Sequence, residues 1–166
     1  MINVKRNNSE TSISCFSVNE SNAEFFISIT PTLETTFEDT LEIINTEYEK
    51  VMKEDNLNKE TQMFCRLYLS DIANQKNILY SSRLFTILQL SSYSIIQQSP
   101  LYGGKVAFFC YHIKNKEIKK TVSILDDQNW KNSSEIIGIN YKILYTSNYS
   151  EAYPFNSESQ TKEIFL

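Results

Sequence analysis

The sequence contains few of the residues on which common binding and catalytic motifs depend. Its 166 residues include three glycines, three prolines, three cysteines and one histidine. Gly103 and Gly104 are adjacent and the third glycine is Gly138, so no glycine-rich loop of the kind that binds nucleotide phosphates is present. A single histidine cannot supply a histidine-rich metal site. We therefore expect neither a bound metal nor a cofactor.

Charge and hydropathy exclude further classes of protein. The net charge is −4, so the chain has no basic surface and nucleic acid is not an expected partner. No apolar run approaches the ~20 residues that span a bilayer, and no apolar segment follows residues 1–8, so we expect neither membrane insertion nor a signal peptide. The cysteines Cys15, Cys65 and Cys110 each lie in an apolar stretch. This pattern predicts buried, reduced thiols and a cytoplasmic location.

The first half of the chain shows two strand-like stretches followed by a helix-like one. Residues 13–18 and 24–30 have the β-branched and aromatic composition of strands. Thr35 and Glu38 have the spacing of a capping box, which predicts a helix that runs to about Asp55. Apolar residues at spacings of three and four predict one buried stripe on this helix: Phe37, Leu41, Ile44, Tyr48 and Val51.

The next part of the chain predicts three strands and a second helix. Residues 61–69 alternate as a strand, and residues 73–88 follow as a helix. Residues 93–97 and 105–113 are strand-like, and the long connection between them predicts a wide hairpin loop. The expected order is ββαβαββ. One face of the strand at 61–69 is predicted to carry Met63, Cys65, Leu67 and Leu69.

The C-terminal part of the sequence repeats the strand, capping box and helix predicted in the first part. Residues 118–125 predict an extra strand, residues 126–135 a polar loop and residues 141–147 another strand. A capping box at residues 157–160 then opens a predicted helix that the chain end cuts short.

Two short segments support the idea of a second module. Thr40–Ile44 and Thr161–Phe165 align at an offset of 121 residues. Chance similarity between two ordinary strand–helix connections is the alternative. We interpret residues 1–125 as one module and residues 126–166 as the start of a second, incomplete one.

Three stretches carry a resemblance to one known family. Met63–Tyr80 resembles a family strand that ends in Leu-x-Asp and enters a helix with Asn-x-x-Tyr, here Asn77–Tyr80. Residues 93–113 resemble the family's penultimate and final strands, and Ser28–Pro31 stands where the family has Ser-Gly-Gln followed by proline. The order and spacing of these stretches resemble the RidA/YjgF family.

The resemblance implies an α+β fold of the chorismate mutase-like type, in which a ββαβαββ sheet is backed by two helices. Here a C-terminal strand–helix extension is added. The family assembles as homotrimers with clefts between subunits, so the resemblance implies self-association and a small-molecule ligand in such a cleft. The residues that it places near the cleft are Ser28, Thr30, Arg66, Asn77, Ser92, Tyr93, Tyr102 and Phe109.

The resemblance also implies that the family's catalytic side chains are replaced. Its members hydrolyse enamines or imines with an arginine that holds the substrate carboxylate, and Ser91 or Ser92 stands there in this chain. Phe109 and Ala107 occupy the positions of the acidic residues in the final strand. The resemblance thus implies a diverged protein that binds a small ligand or has a structural role. The alternatives are an enamine/imine deaminase and a chorismatase-like hydrolase that acts at an intersubunit cleft.

Two further features of the sequence each have a functional interpretation and a competing structural one. Arg66 lies among apolar residues, where it either anchors an anion or is a paired or snorkelling arginine. Cys110 and His112 are two positions apart on one strand face, which would suit a thiolate–imidazole pair. Side chains at this spacing stand ~6.5–7 Å apart, and no third residue to orient the imidazole is evident, so a buried cysteine and a core histidine are favoured.

Overall fold

The computed structural model describes residues 2–6, 8–19, 21–100, 103–123, 130–138 and 142–148. Within these residues the chain is a mixed α+β protein. Its strands are β1 (Ile2–Arg6), β2 (Ser9–Asn19), β3 (Asn22–Pro31), β4 (Gln62–Leu69), β5 (Ser92–Gln97), β6 (Val106–Asn115), β7 (Lys119–Ser123), β8 (Trp130–Ile137) and β9 (Lys142–Asn148). Its helices are α1 (Phe37–Glu54), α2 (Ile72–Tyr80) and α3 (Arg83–Leu88).

Six strands form one sheet in the order β1-β2-β3-β6-β4-β5. Neighbouring strands are antiparallel except β4 and β5, which are parallel because the helical connection α2–α3 returns the chain to the same end of the sheet. The predicted hairpin between residues 93–97 and 105–113 is therefore wrong. Strand β4 lies between β5 and β6 and hydrogen-bonds with both.

The helices cover one face of this sheet, which we call the helix face. The predicted stripe of α1 is confirmed, since all five of its residues are buried in the core. The predicted cap is wrong by one residue, because Thr36 is the N-cap and its Oγ1 accepts a hydrogen bond from the Asp39 N–H at 3.1 Å. Thr35 Oγ1 instead donates to the Asp39 carboxylate at 2.7 Å.

The predicted single helix at residues 73–88 is two helices. Ser81 Oγ donates to the Asn77 carbonyl at 3.1 Å, and Ser82 Oγ donates to the Leu79 carbonyl at 2.6 Å. Ser82 then caps α3. Serine hydroxyls compete in this way with backbone hydrogen bonds, which explains the break. Leu84 is buried at the start of α3.

A β-bulge changes the predicted faces of β4. The register between β4 and β6 shifts between Gln62 and Phe64, so two successive residues leave the sheet on the same side. Cys65, Leu67 and Leu69 remain on the helix face as predicted. Met63 instead packs with Phe64 on the opposite face, which we call the outer face. Gln62 takes the vacated position beneath the helices.

A second, smaller sheet lies against the outer face. It has the order β7-β8-β9, and Ile136 of β8 packs on Met63 and Tyr111 of the large sheet. The predicted strands at 118–125 and 141–147 are thus observed as β7 and β9. The predicted polar loop at 126–135 is wrong from Trp130 onward, where β8 begins.

Other predictions have mixed outcomes. Cys65 and Cys110 are buried as predicted, but Cys15 is exposed near the tip of the β2–β3 hairpin. The helix predicted after residue 157 and the module boundary at 125/126 lie outside the described residues. Strand β1 was not predicted at all. No helix of the described part is long and apolar enough to cross a membrane.

Candidate functional site

Three of the residues singled out from the sequence form one row on the outer face. Ser28 of β3 pairs with Phe109 of β6, and Phe109 pairs with Arg66 of β4. Directly opposed residues of neighbouring strands point to the same side of a sheet. Ser94 of β5 extends the row beyond Arg66. The strand register therefore brings together side chains that are up to 81 positions apart in sequence.

Arg66 is the charged member of this row. Its side chain is exposed, and its guanidinium carbon lies 5.3 Å from the centre of the Phe64 ring. Within the described part of the chain the guanidinium forms no ion pair or hydrogen bond. Its donors are consequently available to a planar anion, which the guanidinium fork can bind through two parallel hydrogen bonds.

Aromatic rings surround the row. Phe109 lies 5.8 Å from Phe64 and 6.4 Å from Phe26, measured between ring centres. Phe26 lies 4.7 Å from Tyr111, and the Tyr145 ring of the small sheet covers Phe64 at 5.1 Å. Offset and tilted rings at these separations pack favourably. The row thus borders an apolar surface of which the small sheet covers only a part.

Glu24 provides a second polar feature of the outer face. Tyr111 Oη donates a hydrogen bond to its carboxylate at 2.8 Å. Burial of the phenol, together with this hydrogen bond, raises the pKa of Tyr111 far above its ordinary value. Beside this pair lies a cleft of about 350 Å³, bounded by Phe16 and Ile143. Tyr111 therefore remains a neutral hydrogen-bond donor.

The other predicted residues do not converge on the row. Thr30 and Ser92 are on the outer face, but Thr30 lines a separate cleft of about 560 Å³ at the end of β3, and Ser92 is buried. Tyr93 faces the helices and packs against Phe85. Asn77 is exposed on α2, in a groove between α1 and the other helices. Tyr102 lies outside the described residues.

A buried polar network lies beneath the helices, and the sequence did not predict it. Cys110 Sγ and His112 Nε2 are 3.3 Å apart, so the predicted separation of ~6.5–7 Å was wrong. Tyr48 Oη is 2.8 Å from His112 Nε2 and 2.9 Å from Gln62 Oε1. Thr61 Oγ1 lies 2.9 Å from His112 Nδ1 and is the third residue that orients the imidazole.

The neighbours of this network fix where its hydrogens lie. The Gln62 amide donates to the Ile87 carbonyl and to Ser91 Oγ, so Gln62 Oε1 faces Tyr48 as a hydrogen-bond acceptor. The Thr61 hydroxyl donates to a backbone carbonyl, so it can only accept from His112 Nδ1. His112 Nε2 is consequently the bare nitrogen of the ring, and the single Tyr48 hydrogen lies between two acceptors, Gln62 Oε1 and Nε2. Cys110 Sγ lies 3.3 Å from Nε2 and 3.4 Å from Tyr48 Oη.

Burial determines the charge states of the network. It lowers the pKa of His112 to about 3, with a smaller effect from the charge of Lys120. It also raises the pKa of the Cys110 thiol well above its ordinary value and lowers the pKa of Lys120 to about 8. At neutral pH the imidazole and the thiol are therefore both uncharged.

Sequence patterns gave little indication of this network. Tyr48 fitted an apolar helical stripe, and Gln62 reached the helix face only through the bulge. The pair Cys110 and His112 was recognised, but not its contacts. Among the described residues no group of three or more histidine, cysteine, aspartate or glutamate side chains could hold a metal ion.

Comparison with solved structures finds similar chains. No protein-family model and no curated protein matches the sequence. A crystal structure of a "putative translation initiation inhibitor from Salmonella typhimurium" is similar over 61% of this chain and 97% of that chain, with 11% sequence identity and a TM-score of 0.42. Two chains that share so few residues need not share an activity.

Proposed function

We propose that this protein is a diverged RidA-like module that binds a small planar anion at the outer face through Arg66, without catalysing the family reaction. The observation that carries the proposal is the exposed guanidinium of Arg66, which lies over Phe64 and has no partner in the described part of the chain. A carboxylate would satisfy its donors at little cost in desolvation.

The neighbours of Arg66 favour a ligand with an apolar body. The hydroxyls of Ser28 and Ser94 lie at the two ends of the row and can donate hydrogen bonds, while Phe109 offers a half-buried ring. Short 2-oxo acids and aromatic carboxylates combine one carboxylate with a small apolar or planar part. These are the classes of ligand that we propose for the row.

The family reaction is not part of the proposal because neither reacting position has the required charge. Ser92 is buried and uncharged, and Phe109 has no group that could position a water molecule. The family's catalysis of imine hydrolysis combines recognition of the substrate carboxylate with activation of water, as the resemblance implies. Enamine/imine hydrolysis and chorismatase-like hydrolysis are therefore the outcomes against which the proposal is tested.

We further propose that the protein assembles as a homotrimer through the uncovered part of the outer face. Phe16 is 66% exposed, and Phe26 and Phe109 are each only partly buried. A contiguous apolar surface of this kind is typical of an interface between protein chains. A second copy packed there would place the Arg66 row in an intersubunit cleft.

The ligand proposal is tested by titrating the protein with 2-oxobutanoate and with benzoate, followed by NMR or calorimetry. We expect R66Q to bind the ligand of the wild type at least ~10-fold more weakly, because hydrogen bonds to charged groups contribute about 1.5–3 kcal/mol. R83Q is the matched control, since Arg83 is an exposed arginine that pairs with Glu42 and Glu49 on the other side of the molecule. Equal binding by R66Q, or no binding by the wild type, would contradict the proposal.

Two further measurements test the rest of the proposal. Light scattering should give a mass about three times that of the 19.3 kDa chain, and a stable monomer would exclude the trimer. An imine generated in solution from an amino acid should hydrolyse at the same rate with and without the protein. Faster release of the 2-oxo acid would replace the binding proposal with the enzymatic alternative.

A further inference from the structure

Two buried cysteines face each other across neighbouring strands. Cys65 of β4 and Cys110 of β6 are register partners, and their Sγ atoms lie 3.2 Å apart. Opposed residues of antiparallel strands have Cα separations of ~4.5–5.5 Å, and disulfides require ~4.4–6.8 Å. The backbone can therefore carry a bond between these two sulfurs without changing the strand register.

We propose that Cys65 and Cys110 are an oxidation site at which a hydroperoxide converts the two thiols into an intramolecular disulfide, with His112 as the acceptor of the Cys110 proton. The proposal uses only the network beneath the helices. It is independent of the ligand proposed for the outer face.

His112 is placed to receive the proton. Its bare Nε2 lies 3.3 Å from Cys110 Sγ, and its Nδ1–H is held by Thr61 Oγ1 at 2.9 Å. The Thr61 hydroxyl in turn donates to the carbonyl of Asn58, an exposed residue. The nucleophile is thus within hydrogen-bonding reach of the base, and the base is within reach of the group that orients it.

The proposed chemistry proceeds in two steps. The Cys110 sulfur attacks one peroxide oxygen while its proton moves to His112 Nε2. The O–O bond breaks, and the leaving alkoxide takes the proton back as an alcohol, which leaves a sulfenic acid on Cys110. The Cys65 sulfur then attacks Cys110 Sγ, the S–O bond breaks, and the hydroxide leaves as water with the Cys65 proton. Two thiols are oxidised and one hydroperoxide is reduced to an alcohol and water.

Burial sets the speed of this reaction. Both thiols are almost fully buried, and burial raises the pKa of Cys110. Thiolates are the reactive form of cysteine, so the first step is slow and requires a local opening of the core. Cys15, which is exposed, should react with alkylating reagents first. The second step should be fast because the two sulfurs are already in contact.

The proposal is tested on the full chain with hydrogen peroxide as the oxidant. After oxidation the protein is denatured, alkylated with iodoacetamide and digested without reduction. We expect a peptide in which Cys65 is linked to Cys110, while Cys15 carries the alkyl group or a higher oxide. Full alkylation of both buried cysteines, or links from either of them to Cys15, would overturn the proposal. This measurement needs no variant.

Variants assign the roles within the site. C15S should form the same linked peptide, whereas C65S and C110S should form none. H112Q should form it at least ~10-fold more slowly, since a positioned proton acceptor typically contributes ~10²–10⁴-fold. Circular dichroism and the urea midpoint of each variant report on folding separately from this rate. An H112Q rate equal to that of the wild type would overturn the role of His112.

Discussion

Around His112, the tautomer of a single side chain follows from its neighbours. Thr61 accepts from Nδ1 because its own hydrogen is used elsewhere, so Nε2 is bare and shares the single Tyr48 hydrogen with Gln62 Oε1. Buried hydrogen-bond networks of this kind hold a polar core in one arrangement. Removing or charging one member of such a network destabilises the folded state.

Acidification should remove stability through His112. Its pKa is about 3 in the folded state and near 6.5 when unfolded, so the unfolded chain binds more protons between these values. The contribution is fully present above pH 6.5 and is lost as the pH falls towards 3. We expect a loss of about 2 kcal/mol between pH 6.5 and pH 5. In H112Q this part of the pH dependence of the urea midpoint should be absent; an unchanged dependence would contradict the assignment.

Removing the Tyr48 hydroxyl should also destabilise the protein. Y48F leaves Gln62 Oε1 without its hydrogen-bond donor in a buried site, which costs about 1–3 kcal/mol. Y80F is the control, because Tyr80 is 40% exposed and its hydroxyl is not in the network. Urea unfolding should show a lower midpoint for Y48F alone. Equal midpoints would mean that the network makes no net contribution.

At the scale of elements, the buried face of helix α1 was predicted correctly from the sequence. The residues at which the helices begin and end were not. The five-residue stripe of α1 follows from side-chain spacing, which is a property of the helix itself. Which of two adjacent threonines caps the helix depends on the backbone angles at its start, and Thr36 has the extended conformation that a cap needs. The break between α2 and α3 likewise depends on where two serine hydroxyls find acceptors.

The cap of α1 gives a test at this scale. T36A should lower the free energy of unfolding by about 1 kcal/mol, because it removes the side chain that accepts from the Asp39 N–H. T35A should have a smaller effect, since Thr35 bonds only to the exposed Asp39 carboxylate. A larger loss for T35A than for T36A in urea titrations would support the capping box that the sequence suggested.

At the scale of the whole molecule, the small sheet adds a second core to the large one. Ile136 is fully buried between the sheets, together with Met63 and Tyr111. Two layers that share a buried cluster are expected to unfold together.

I136A tests this coupling between the sheets. It should cost about 2–5 kcal/mol, the usual range for an isoleucine truncated in a core. I143A is the control, because Ile143 of the same small sheet is 37% exposed. Both variants should unfold in one transition that is identical by fluorescence and circular dichroism. An I136A midpoint equal to that of the wild type would show that the small sheet contributes nothing to the stability of the large one.

Three residues of the proposed binding row were predicted individually from the sequence, but their arrangement was not. Ser28 and Phe109 were placed by resemblance. Arg66 was singled out because it lies among apolar residues on its strand. Tyr93 and Asn77 came from the same resemblance and point elsewhere, because the face of a strand or helix is set by its packing partners. Only the register between strands shows which three side chains meet.

By itself the sequence determined the order of the main elements and the stripe of α1, because these depend on spacing along one segment. The tertiary structure decided the rest. The position of β4 between β5 and β6, the bulge that moves Gln62 beneath the helices, and the contact of Cys65 with Cys110 all join segments distant in the chain. Such contacts depend on long-range pairing, and no local pattern of residues encodes which distant strand will be the neighbour.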